Sequence, residues 1–140
     1  MAVEVRSTST ITGPCKRFVF DVMQKSAPAR HGKILRAGVF ACRTISGSTT
    51  FSQHSFGNAV DLFADETDLE AIAKNVVLQA TKLTRANGGD PVPVGVVIHH
   101  QQAWTTNNPV FHAADVTPHL NHVHVQFLPL KTGTPPCASG

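Results

Sequence analysis

Tyrosine is absent from these 140 residues, charged side chains make up only 15% of them, and no block of like charge occurs. Such thin charge, beside a hydrophobic fraction of 41%, excludes a self-repelling disordered chain and provides for one real core. A single domain that folds without a partner follows, and it is expected to be a monomer. No apolar run is long enough to span a bilayer, and Met1-Ala2-Val3-Glu4-Val5-Arg6 lacks the basic start and apolar stretch of a secretory signal. The chain as written is expected to be soluble and to have no membrane partner. A net charge of +3 and a pI near 9 suit an anionic partner such as nucleic acid or a cell-wall polymer. The twelve Lys and Arg residues are scattered, however, with no basic stripe and interleaved aromatics, so no nucleic-acid binding is expected.

Cysteine is also scarce. Cys15, Cys42 and Cys137 are odd in number and lack any Cys-x-x-Cys spacing, so neither a closed disulfide framework nor a thiolate zinc knuckle follows. Two buried thiols and one tail thiol are expected, with a Cys15–Cys42 bridge as the alternative.

Residues 1–13 are rich in Ser and Thr without a strong period and read as an N-terminal arm or an edge strand. From Pro14 to Ala27, Phe18, Val22 and Met23 fall at helical spacing, and Pro28 ends the pattern. A short strand is expected over Ile34–Cys42, a loop over Arg43–Asn58, and a strand over Ala59–Phe63 that carries one carboxylate, Asp61. The clearest helix runs from Glu66 to Ala86, with Leu69, Ile72, Ala73, Val76, Ala80 and Leu83 on one stripe. Asp65 is its expected cap and Asn87-Gly88-Gly89 its stop. Strands are expected over Val92–His99 and Asn121–Phe127, joined by a polar stretch containing Trp104. The fold class is α+β: a mainly antiparallel central sheet with flanking helices. Residues 14–130 make the domain and residues 131–140 a loose tail.

The chemistry-bearing segments are Ser52-Gln53-His54-Ser55-Phe56-Gly57-Asn58-Ala59-Val60-Asp61 and His119-Leu120-Asn121-His122-Val123-His124. If Gly57 lets the backbone turn tightly, His54 and Asp61 can approach one ion from adjacent directions. The third donor must come from elsewhere. On a strand, His122 and His124 share a face about 6.5 Å apart, so only one of them completes the set easily. Two His and one carboxylate leave a tetrahedral zinc with an open position, the arrangement of a catalytic site. An unpaired carboxylate in an apolar strand would otherwise cost several kcal/mol.

Ser-x-His-x-x-Gly-x-Ala-x-Asp, met by Ser52, His54, Gly57, Ala59 and Asp61, resembles the signature of the D-Ala-D-Ala-type zinc peptidases. These belong to the LAS superfamily, with the lysostaphin-type peptidases and the Hedgehog signalling domain. The resemblance covers roughly Val39 to Leu128. It implies a peptidase fold of the Hedgehog kind, zinc as cofactor and His54, Asp61 and His124 as its ligands. The spacing His119-x-x-His122-x-His124 is similar to that of penicillin-insensitive murein endopeptidases, which implies His122, helped by His119, as general base. The segment from Val97 through Trp104 to Val125 resembles small actinobacterial and phage cell-wall hydrolases. Many D-Ala-D-Ala-type relatives carry Glu where this chain has Asn121, so here the proton falls to His122, whose ordinary pKa near 6.5 suits it.

Relatives also carry an Arg that holds a substrate carboxylate or oxyanion, a role that implies Arg43 here. Ser52 and Asn58 are candidates to orient ligands, with turn formation as the alternative. His100, and beside it His99, could line the cleft, whereas His31 and His112 read as surface or core residues and Trp104 as a core or cleft-wall residue. The implied substrate is a bacterial cell-wall peptide containing D-amino acids, cut at an amide bond. The enzyme would act outside the membrane, and a phage lysin released by lysis would need no signal. Two rival readings are a zinc-holding binding module without turnover, which Asn121 favours, and a basic nucleic-acid-binding protein.

Overall fold

Along residues 59–63 and 122–127 apolar side chains alternate with others, and a strand turns that alternation into two unlike faces. Val60, Leu62, Val123, Val125 and Phe127 are all fully buried in one core. Asp61, Phe63, His122, His124 and Gln126 take the other face. The computed structural model describes residues 3–24, 34–78, 93–114 and 119–138.

The elements are β1 (Val5–Arg6), α1 (Gly13–Arg17) running on as a π-helical stretch (Phe18–Val22), β2 (Arg36–Gly38), a 3-10 turn (Gln53–Phe56) and β3 (Ala59–Phe63). A 3-10 turn (Glu66–Asp68) then leads into α2 (Leu69–Leu78). After it come β4 (Val94–His100), β5 (Gln102–Thr105), β6 (His112–Ala113), β7 (His119–Phe127) and a last 3-10 turn (Pro136–Ala138). The strands form one sheet in the order β1-β2-β3-β7-β4-β5-β6. Only β1 and β2 are parallel. This is the single-domain α+β architecture with a mainly antiparallel sheet that the sequence predicts.

The core side of the sheet is covered by Phe18, Val19 and Met23 from the first helical segment and by Leu69, Ile72, Ala73 and Val76 of α2. The last four recur at helical spacing, and each large apolar side chain so buried contributes about 1.5–3 kcal/mol. The Phe18 and Phe127 rings meet with centroids 5.5 Å apart. Asp65 has the backbone conformation of an N-cap, but its side chain makes no capping hydrogen bond. Among the described residues no helix is long and apolar enough to cross a membrane.

Several expectations need correction. The free-thiol reading fails for two of the three cysteines, because Cys42 is bonded to Cys137. The alternative Cys15–Cys42 bridge fails too: Cys15 is a free, buried thiol whose pKa burial pushes up to about 12. The C-terminal segment is tethered at Lys131 and at Cys137. Besides the disulfide, Gln53 clasps Lys131 through two hydrogen bonds, donating to its carbonyl and accepting from its N–H, each 2.9 Å. The strand expected over 34–42 has only three residues in the ladder. Its backbone hydrogen bonds nonetheless extend from Leu35, bonded to Phe63, through Phe40, bonded to Ser7, to Ala41, bonded to His54. The polar stretch after β4 contains two strands, β5 and β6, that show no period. Trp104 on β5 stands opposite Val97 in the core, on the face turned away from Asp61. Residues 25–27 of the first expected helix, His31, residues 79–86 of the second helix with its stop at 87–89, and Val92 lie outside the described residues.

Candidate metal centre

Each ligand arrives by a local rule. Ser52 is extended and its Oγ accepts the His54 N–H at 3.2 Å, so it caps the one-turn 3-10 helix that carries His54. Gly57 then closes that turn at φ 66°, in the left-handed region, and its carbonyl accepts the Thr12 N–H. A Cβ there would stand 2.1 Å from the Thr10 carbonyl oxygen, which is backbone and has no room to yield. Gly57→Ala is therefore expected to destabilise the fold by about 2–5 kcal/mol, combining left-handed strain with overpacking. Chemical denaturation would read it, and a loss under about 1 kcal/mol would show that the Thr10 contact is not rigid.

Register supplies the rest. Directly opposed residues of an antiparallel pair point to the same side, and Gly38, Asp61, His124 and Ile98 stand in one row across β2, β3, β7 and β4. Asp61 and His124 are thus nearest neighbours, while His122 opposes Phe63 in the next row. This resolves which histidine of the pair joins His54 and Asp61.

The three donor atoms form a nearly equilateral triangle. His54 Nε2 lies 3.1 Å from Asp61 Oδ1 and 3.2 Å from His124 Nδ1, and His124 Nδ1 lies 3.1 Å from the same Oδ1. A tetrahedral ion with donors about 2.0–2.1 Å away spaces them about 3.3 Å apart, so the triangle fits such a site. The tautomers agree. The outer nitrogen of His54, Nδ1, donates to the Val39 carbonyl, and the outer nitrogen of His124, Nε2, donates to Gln126 Oε1 at 2.8 Å. Both rings therefore turn a lone pair inward, toward a carboxylate oxygen that only accepts. Three acceptors converge where a cation is needed. All three residues are 9% exposed or less, and together they could hold a metal ion.

The electrostatics follow from this crowding. Burial alone would raise the Asp61 pKa; protons on the inward nitrogens of His124 and His54, which would donate to it and bring positive charge, hold it far below the ordinary carboxylate range, and a bound cation would take the place of those protons. His122 sits at the rim, its Nε2 3.6 Å from Asp61 Oδ1 and its Nδ1–H donating to Asn121 Oδ1 at 2.7 Å. Burial, opposed by Asp61 and aided by His119, His124 and His54, pushes its imidazole down to about 4. Its inward nitrogen is therefore a free base at neutral pH. The register shift between Ile98 and His100 changes the alternation along β7, and the His119 ring lies against His122 at 4.8 Å and His124 at 5.9 Å.

Other candidates fall elsewhere. Ser52 acts through the turn that it caps. Asn58 is a clasp, donating to Gln53 Oε1 and to the Phe127 and Pro129 carbonyls and accepting from Thr12 Oγ1. Among the described hydrogen bonds Asn58 makes none to the ligand trio, whereas Ser52 holds His54 by its backbone N–H, so each takes the turn-forming role that was the alternative for it. His100 faces His99, 2.9 Å away between Nδ1 atoms, and Glu66 at 3.6 Å, and His99 packs on Phe111. His112 bonds the Val110 carbonyl. Arg43 is exposed and lines a cleft of about 240 Å3 together with His54 and Asp61.

Gln126 is the residue that sequence reasoning missed, although its place two positions after His124 puts it on the ligand face. Gln126→Leu is expected to weaken divalent-metal binding at the trio about 10–100-fold, as loss of an outer partner of a ligating imidazole does. Competition with a chromogenic chelator measures it; unchanged affinity would mean that His124 is oriented by packing alone. Comparison of the chain with protein-family models, with the curated proteins and with the solved structures finds no match.

Proposed function

We propose that the protein is a zinc-dependent peptidase that hydrolyses an amide bond in bacterial cell-wall peptides containing D-amino acids. The observation that carries this reading is the triangle of inward lone pairs from His54, Asp61 and His124 at the edge of an open cleft. Two imidazoles and one carboxylate form a donor set suited to zinc with one position left for chemistry. When bound, the ion would polarise the scissile carbonyl and acidify water. His122, neutral and with its lone pair turned to the trio, takes the proton of the attacking water and returns it to the leaving amine. Asn121, standing where many relatives carry Glu, holds the His122 ring by accepting its Nδ1–H. His119 packs behind it. Arg43 faces the substrate from the cleft wall.

The wall-peptide substrate and the peptidase fold rest on the likeness of residues 52–61 and 119–124 to the LAS superfamily. The Cys42–Cys137 bridge agrees with work outside the cytoplasmic membrane, because disulfides persist in oxidising surroundings. Asn121 also favours a metal-holding module without turnover, and one experiment separates the two. Purified peptidoglycan from several cross-bridge types is incubated with metal-free and with zinc-loaded protein. New amino groups and released muropeptides are expected only with the loaded protein, and mass spectrometry then names the bond. Zinc-loaded protein that releases no amine from any wall type would overturn the peptidase in favour of the binding module.

A further inference from the structure

Three guanidinium groups against the carboxylates of Glu4 and Asp61 leave the cleft beside the metal centre with a net positive charge. Arg6, Arg36 and Arg43 line it, with His54 and Asp61 on its inner wall. Glu4 is bonded to Arg6 at 2.8 Å, and Arg36 lies close enough to add to the field on it. Among the described residues neither Arg36 nor Arg43 has a carboxylate within salt-bridge distance. Both line one cleft, and a ligand of matching charge can use both forks.

Arg36 is moreover held in place. It opposes Phe63 across β2 and β3, and its Cζ lies 4.3 Å above that ring. The same ring lies 5.3 Å from His122. Phe63 thus forms a shelf between the positive end of the cleft and the proposed base, with Asp61 two residues before it on the same strand face.

We infer that this cleft is a subsite for a peptide end bearing two carboxylates, taken by Arg36 and Arg43, with Arg36 on Phe63 as the residue that sets the preference. That the anion belongs to a peptide rests on the peptidase reading; the charge count does not. The test therefore uses the full chain without metal and involves no turnover. Glutarate, a five-carbon dicarboxylate, is titrated against butyrate and inorganic phosphate, and amide chemical shifts along residues 36–43 and 61–63 are followed. Glutarate is expected to bind about tenfold or more tightly than butyrate, the gain of one further charge-assisted pair. Arg36→Gln and, separately, Arg43→Gln on its exposed loop are each expected to bring the two probes within about twofold, and Arg36→Lys to restore part of the difference. Equal binding of glutarate and butyrate, or a glutarate preference that survives both Gln variants, would overturn the inference. Phosphate binding as tightly as glutarate would overturn the dicarboxylate assignment in favour of a general dianion site. A failure of wall hydrolysis would leave these results untouched.

Discussion

Asp61→Asn is expected to end the proposed hydrolysis, lowering kcat/KM by about 10^3-fold or more, and to leave the proposed zinc site without a stoichiometric ion. The carboxylate brings the negative charge of the donor set, and an amide in its place directs an N–H at lone pairs that must face a cation. Loss of Lewis-acid stabilisation worth several kcal/mol corresponds to that rate, each 1.36 kcal/mol being tenfold. A thermal readout makes the prediction specific. On the proposed reading zinc is expected to raise the melting temperature of the wild type, as a ligand that binds only the folded state does, whereas Asp61→Asn should show no such rise. A variant that keeps both its zinc and its activity would show that the ion is held elsewhere.

His122→Gln should do something different. Its imidazole is no part of the triangle, so zinc content is expected to stay at one per chain and KM to change little, while kcat falls about 10^2–10^4-fold as for loss of a general base. Asn121→Ala, which removes the acceptor of the His122 Nδ1–H, should give a smaller loss in the same direction. Full kcat in His122→Gln would move the proton to His119, the ring packed against it.

The legibility of this site in the sequence follows the range of the interactions that build it. The Ser52 cap, the Gly57 turn and the alternation His122, His124, Gln126 against Val123, Val125, Phe127 are local, and each could be read from a few adjacent residues. The residues alone left His122 and His124 as equal candidates for the third ligand. That choice is made by strand register, which sets Asp61 opposite His124 and depends on the whole β3–β7 pairing. The Cys42–Cys137 bridge spans 95 residues, and such connectivity is not contained in spacing. β5 and β6 were missed because four and two residues are too few to show a period. Arg36 gave no signal by itself; it gains meaning only from standing opposite Phe63. For Ser52 and Asn58 the sequence left ligand orientation and turn formation open, and the bonds that the fold makes with them go to the backbone, as Ser and Asn near a turn commonly do.

The bond between Cys42 and Cys137 has a consequence for the life of the molecule among proteases. His54, Asp61, His122 and His124 all lie within the ring that it closes. A single cut of the exposed loop 43–50 would therefore open the ring without releasing a fragment, and every group of the centre would remain on one covalently joined molecule. Such nicked protein would migrate as an intact chain until a reductant is added.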